Sequence, residues 1–458
     1  MTTMSPPMNA PAAPSIPWRD RLKISRTLIF SLFFLIVGAA ILLLTPRQIA
    51  SSVTSTLTFD RGLPNIVVPV VTYAVIVALI YIAGGLLGLA AAFTPIGESL
   101  NPPPSAVRLN RAAAALLIFC GVLIIPTVLI LAAQGKSTNV VTMLASSLRA
   151  ATPIIIGSMA GIWCERSGVV NIAIEGMMLT GACFGFIAFS AVSASVPGDG
   201  GLYIGVLVAI LAGGMMSLLH AWLCITFRTD QVISGTVINI LALGLTSFLR
   251  LEFLINADAA RATIRPLYVI AADVPLVGDL LKGLSEIPIL GSVVFSGKPI
   301  FLSMFVLLIV TYVVLYYTRW GLRTRAVGEN PHAADTLGIN VNRNRYINVV
   351  IAGLIAGLAG AWFSLETTGS FDDNMTSGTG FIALAAMIFG KWNPFGAAAG
   401  GLLFGFSRAL ETRFQILDVP VPSQFVQMTP YIVTIVVLAG LVGRAVGPKA
   451  AGTAYKKE

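Results

Sequence analysis

Glu165, Arg166 and Glu175 stand close together in "GIWCERSGVVNIAIEGMMLTGA", residues 161–182, within a chain that is otherwise mostly apolar. Ionisable groups in such surroundings have two uses. One is local: Arg166 balances a nearby glutamate, Asn171 caps the helix that follows, and Glu175 sits near its first turn, where the helix dipole favours a carboxylate. The other is a path: Gly168 turns the chain, and the broken helix carries polar backbone and side chains, Glu175 among them, into the apolar part of the chain. Irregular backbone at membrane depth survives only where protein or a water-filled cavity covers it. Both readings are open on these residues alone.

Other chemistry is thinly represented. The two histidines, His220 and His332, stand apart, and no nucleophile, base and orienting group recur together, which argues against an enzyme. His220, in an apolar span, reads as a buried structural residue. Cys120, Cys164, Cys183 and Cys224 sit in or beside apolar spans without a CxxC, so neither disulfide nor metal site is expected, and no cofactor. No G-x-x-x-x-G-K-[ST] phosphate loop occurs: Gly390-Lys391 is followed by Trp392 and lacks the upstream glycine. If ATP drives this protein, another chain binds it.

The elements that must hold these residues follow from composition. Of 458 residues, 56% are hydrophobic and 11% charged, with a mean hydropathy of +0.87. Repeated apolar windows long enough to cross a bilayer, without period-two alternation, predict an all-α polytopic membrane protein with about 10 transmembrane helices. The spans read as 27–44, 66–93, 112–133, 140–161, 172–190, 202–225, 232–255, 300–317, 347–366 and 428–445. A helical hairpin of shorter segments, 381–390 and 396–410, lies before the last. "GKWNPFG" breaks that hairpin, which is either re-entrant or two thin packed spans; Gly396, Gly400, Gly401 and Gly405 serve close helix packing.

Most of the 29 Lys and Arg residues fall in segments that share one side when both termini are cytoplasmic. The net charge of +9 therefore reads as topology and contact with an anionic bilayer, not as nucleic-acid binding. Residues 1–26 are expected as a cytoplasmic disordered tail, 27–111 as an N-terminal extension with two spans, 112–445 as the main transmembrane domain and 446–458 as a cytoplasmic tail. In "LETTGSFDDN", Glu366, Asp372 and Asp373 read as solvated on the outer side. Trp362, Phe363 and Phe381 could stack on a planar solute.

Residues 318–346, "TRWGLRTRAVGENPHAADTLGINVNRNRY", form a long basic cytoplasmic loop. Asn330 at an N-cap and Pro331 at the first helical position start a short helix that Gly338 ends. With Ala333 and Ala334 on its surface, this helix is shaped to dock into a groove of a soluble partner; a merely solvated loop would explain the arginines but not the cap.

These motifs carry a resemblance. "ERSGVVNIAIEGMMLTGA", "GENPHAADTLGINVNRNRY" and "FIALAAMIFGKWNPFGAAAGGLLFGF" resemble, in this order, permease subunits of bacterial ABC importers of the branched-chain amino acid, ribose and simple-sugar group. The form E-R-S-G-x-x-N-I-x-x-E-G-M is most similar to nucleoside-uptake permeases. The similarity runs from about 140 to 445; residues 1–110 match the pattern poorly. It implies a multi-pass protein of the bacterial cytoplasmic membrane. The implied partners are a separate ABC ATPase, a second, different permease subunit and an extracytoplasmic substrate-binding lipoprotein. Asn330, Pro331, Ala333, Ala334 and Gly338 would form the coupling helix in the ATPase cleft, and Asn171, Glu175 and Gly176 the break beside the permeation path. An ion-coupled secondary transporter is the alternative.

Overall fold

The computed structural model describes residues 26–59, 62–93, 104–196, 198–255, 261–274, 276–417, 428 and 445–457. The tail at 1–25 and nearly all of the span expected at 428–445 lie outside the described residues. Among those described, nine helices are long and apolar enough to cross a membrane, and strand is confined to three short segments. The chain is an all-α polytopic membrane protein.

Two compact units divide it. The first holds α1 (Arg26–Gln48), α2 (Val70–Ala92) and α3 (Pro104–Ala132). Its core is Phe34, Val77, Tyr81, Leu117 and Cys120, with the Tyr81 hydroxyl 3.3 Å from Thr127 Oγ1. Lipid tails are as apolar as leucine, so small residues rather than burial bring such helices together. A Cβ at Gly85 would lie 2.5 Å from Leu35 Cγ. The third helix belongs with the first two, so this unit extends to Leu131 and not to residue 111. A helix that begins at Pro104 cannot be divided at 111, because α3 is one continuous rod.

The second unit begins with β1 (Thr54–Thr58), β2 (Ile66–Pro69) and β3 (Ser137–Asn139), in the order β2-β1-β3, with β1 parallel to β3 and Thr56 opposite Ser137. Six spans follow: α4 (Val140–Arg166), α5 (Ile174–Val192), α6 (Gly200–Ala221, continued by a π turn to Thr226), α7 (Gln231–Phe253), then α8 (Leu267–Ile270) and α9 (Val277–Ser285) in a connecting segment, and α10 (Pro299–Tyr317). Between α10 and the sixth span come α11 (Arg319–Glu329) and α12 (Pro331–Thr336); the sixth is α13 (Val341–Ala361), with a π turn to Thr368. A hairpin of α14 (Thr379–Phe389) and α15 (Pro394–Ile416) completes the described helices. Helices α5, α6 and α13 cross at glycines: a Cβ at Gly181 would lie 2.8 Å from the Cα of Gly357, and one at Gly213 2.6 Å from that atom.

The hairpin is unequal. α14 has 11 residues and α15 has 23, whereas segments at 381–390 and 396–410, each short for a full crossing, were expected. α15 continues past residue 410 because its polar side chains find partners: Arg408 donates to Thr379 Oγ1 at 2.9 Å and Arg413 to Thr138 Oγ1 at 2.6 Å.

Candidate functional site

The break between α4 and α5 is where ionisable residues gather. α4 ends at Arg166, and Gly168, at φ +87°, turns the chain in a conformation that an L side chain rarely adopts. The chain does not enter α5 at once. Asn171 is fully buried, and its Oδ1 accepts from the Ala173 amide at 3.0 Å, closing an Asx turn three residues ahead of the helix. The expected cap at Asn171 is thus displaced: α5 begins at Ile174 with Ala173 before it. Ile174 packs level with Gly157 and Gly161 of α4. At 1.5 Å per residue the first turn of α5 lies about 8–14 Å in from the Arg166 end.

Arg166 does not balance a glutamate. Its guanidinium donates to the carbonyl of Trp392 at 3.0 and 3.2 Å and to Tyr316 Oη at 3.2 Å, so it caps the turn between α14 and α15. Glu165 accepts from the Trp392 indole N–H at 2.6 Å on that turn. Both residues of the pair serve the hairpin, not each other.

Glu175 reaches further along the chain. Its Oε1 accepts from Thr376 Oγ1 at 2.6 Å and the Gly378 amide at 2.8 Å, and its Oε2 from the Gly380 amide at 2.6 Å. The carboxylate therefore caps the N-terminus of α14, satisfying donors that a helix start otherwise leaves orphaned. Gly380 is required by this approach, because a Cβ there would lie 2.5 Å from the Glu175 amide nitrogen. Beside it, the Gly176 amide donates to Asn239 Oδ1 at 2.8 Å, and Asn239 Nδ2 donates to the Ile172 carbonyl at 3.0 Å. α5 and α14 therefore both start inside the bundle, one capped by the other.

These residues bound an open cavity of about 370 Å³, lined by Glu175, Gly176, Thr236, Asn239, Asn374 and Phe381 among others. The volume is within the range of small-molecule sites. Of the residues expected at a path, Glu175 and Gly176 face this cavity; Asn171 does not, and only braces the break. Sequence reasoning missed Asn239, Asn374 and the segment 376–380. A lone asparagine in an apolar helix and the "TSGTG" string ahead of one were their only signals.

The break is also held from the end that carries α12. His220 bonds the Val170 carbonyl through Nε2 at 3.1 Å and Ser234 Oγ through Nδ1 at 3.0 Å, which is the structural role expected of it. Gln231 accepts from the Val170 amide at 2.6 Å. Arg345, in the first turns of α13, donates to the Ser167 carbonyl at 3.2 Å. Gly328, near the end of α11, packs its backbone against the Arg166 carbonyl so closely that no Cβ would fit.

α12 itself forms as its sequence requires. Asn330 Oδ1 accepts from the Ala333 amide at 3.0 Å, Pro331 occupies the first turn, and Gly338 has φ +77°. Its two alanines differ in exposure. Ala333 is exposed, as is Leu337 at 81%. Ala334, expected on the outer surface, is instead buried with Val327, Val341 and Tyr455. A helix of 6 residues resting on its own chain has one outward face.

At the opposite end, Glu366 is not solvated as expected. It is buried and accepts from the Ile300 amide at 2.7 Å and the Phe301 amide at 3.0 Å, capping α10. Burial pushes the nearby Lys298 ammonium below its ordinary pKa, with Glu366 pulling the other way. Asp372 and Asp373 are exposed and pair with Arg250 at 3.1 and 3.0 Å.

Membrane-length helices, two helix starts inside the bundle and a cavity beside them make this a multi-pass membrane protein with a candidate solute site. The chain belongs to the family of branched-chain amino acid transport system / permease components, whose model matches residues 143–438. It is 40% identical over 311 residues to the guanosine ABC transporter permease protein NupQ of Bacillus subtilis, covering 67% of this chain and 94% of that one. It is 41% identical over 319 residues to the nucleoside ABC transporter permease protein NupC of Lactococcus lactis, covering 69% and 96%. A second Bacillus subtilis protein, the guanosine ABC transporter permease protein NupP, is 26% identical over 267 residues, covering 57% and 70%. No solved structure matches.

Proposed function

We propose that this chain is one transmembrane subunit of an ATP-driven ABC importer for nucleosides in the bacterial cytoplasmic membrane. The observation that carries the transport mechanism is the unbroken set of contacts from α12 to the cavity. α12 rests on Val327 and Val341, Gly328 and Arg345 hold residues 166–167, and the break they hold leads to Glu175 and Asn239. A displacement of α12 is thus delivered to the start of α5, to α14 through Glu175, and to the cavity between them. Closure of a partner ATPase on the exposed Ala333 and Leu337 would supply that displacement and switch the path between outward- and inward-facing states.

Under this reading both termini and the α12 end are cytoplasmic. A second, different permease chain completes the pore, in keeping with the two separately named guanosine permeases of Bacillus subtilis, and an extracytoplasmic lipoprotein delivers the solute. Nucleosides are favoured by the two relatives near 40% identity. The ion-coupled alternative needs a carboxylate available to the path; both oxygens of Glu175 are already engaged by protein donors.

The test is uptake of radiolabelled guanosine, adenosine and uridine by cells expressing the chain with its partner subunits. Wild type is expected to accumulate nucleosides in an ATP-dependent manner. Leu337→Asp, on the exposed face, is expected to reach the membrane at normal levels yet lose both ATPase co-purification and uptake. Uptake of a different solute class, or intact ATPase association in Leu337→Asp, overturns the corresponding half of the proposal.

A further inference from the structure

Residues 445–457, nearly all within the cytoplasmic tail expected at 446–458, are packed across the same end of the bundle as α12. The segment starts against the α14–α15 turn, where a Cβ on Gly447 would lie 3.0 Å from the Trp392 indole. Next, the Ala450 amide donates to the Gly328 carbonyl at 2.9 Å. The Thr453 carbonyl accepts from Arg345 Nη1 at 3.0 Å, while the same guanidinium donates through Nε to Ser167. Thr453 Oγ1 closes a local turn on the Ala450 carbonyl at 2.7 Å. The Tyr455 ring is then buried, 5% exposed, among Val327, Ala334 and Val341, with its centroid 5.2 Å from the ring of His332. Lys457 lies 3.8 Å from Asp335 but is 73% exposed, so this pair contributes little.

Three features of this arrangement bear on transmission. Tyr455 fills the space behind α12, the side away from exposed Ala333 and Leu337. Arg345 is shared, bonding the tail with one nitrogen and the break with another. Trp392, against which the segment begins, is held by Glu165 and Arg166 at the end of α4. The tail therefore joins α12, the break and the α14–α15 turn.

We infer that residues 445–457 are a positioning segment for energy coupling, with Tyr455 the residue that keeps α12 rigidly seated on the membrane helices. The inference rests on the reading of α12 as the helix that meets the ATPase. Without the ring, a push on the outer face of α12 is absorbed by movement of a short helix over a void. With it, the push reaches Gly328, Arg345 and the break.

The experiment reconstitutes the complete importer in proteoliposomes and measures solute transported per ATP hydrolysed at matched amounts of assembled complex. Tyr455→Ala is expected to retain ATPase association but to lower this ratio by about fivefold or more, the usual range of coupling between sites. Tyr455→Phe, which keeps the buried ring, restores it. Lys457→Ala leaves it unchanged. Tyr455→Leu, which leaves part of the ring's space empty, is expected to lower the ratio less than the alanine variant does and supplies the measurement if that variant does not accumulate. A wild-type ratio in the alanine or leucine variant overturns the inference, as does a loss in Tyr455→Phe equal to that in Tyr455→Ala. If Leu337→Asp is inactive while the Tyr455 variants couple normally, only the tail assignment fails. If Leu337→Asp also couples normally, the reading of α12 fails with it.

Discussion

Replacing Glu175 with glutamine removes one charge and almost no volume, so its effect isolates what the carboxylate does. The wild-type group accepts three hydrogen bonds, two on Oε1 and one on Oε2, all from residues 376–380. Glutamine has one carbonyl oxygen. If that oxygen replaces Oε1, the amide NH₂ faces the Gly380 N–H, donor against donor, at a site where Glu175 is 7% exposed. Loss of one charge-assisted bond costs about 1.5–3 kcal/mol. Removing the charge from the start of α14 adds about 0.3–1 kcal/mol. The sum, about 2–4 kcal/mol, corresponds to opening of residues 374–380 favoured between about 30-fold and several hundred-fold. A carboxylate acting only as a dipole partner for its own helix would shift that equilibrium by about fivefold at most. Hydrogen exchange of the peptide covering 374–382, in the purified complex, reads the difference directly. The Gly378 and Gly380 amides are expected to lose protection while amides in the middle of α13 keep theirs. A change below about fivefold at those two amides would refute the assignment of Glu175 as the cap of α14.

Further outcomes follow from the same geometry. Gly380→Ala would set a Cβ 2.5 Å from the Glu175 nitrogen and 2.6 Å from its Cα; with backbone on both sides the cost is about 1–3 kcal/mol or more, seen as a lower melting temperature and loss of uptake, whereas Gly283→Ala, with open space at that position, is expected to be silent. Cysteines at the exposed positions Asp372 and Asn342 test orientation: an impermeant thiol reagent applied outside intact cells should label the first and spare the second, and the reverse pattern would invert the proposed topology.

Much of this protein is local chemistry, and the sequence determined that part. Apolar runs matched to bilayer thickness specify the membrane class and the positions of most spans, because hydrophobic length is a property of each segment alone. The cap at Asn330, the proline after it and the turns at Gly168 and Gly338 involve groups a few residues apart, so their spacing defines them. What only the tertiary structure decided are contacts between residues far apart in the chain. Glu175 meets Thr376 across 201 positions, and its other two donors are backbone amides, which every residue but proline carries and which leave no mark in sequence. Arg166, next to Glu165 in the chain, bonds the carbonyl of residue 392 instead, because adjacency in sequence does not make side chains face one another. Ala333 and Ala334 are equivalent in composition; packing of the second against Val327, Val341 and Tyr455, the last from the far end of the chain, leaves the first exposed. Helix starts inside a bilayer must have their orphaned donors satisfied by protein, and the groups that do so here for α14 come from another helix that only the fold brings alongside.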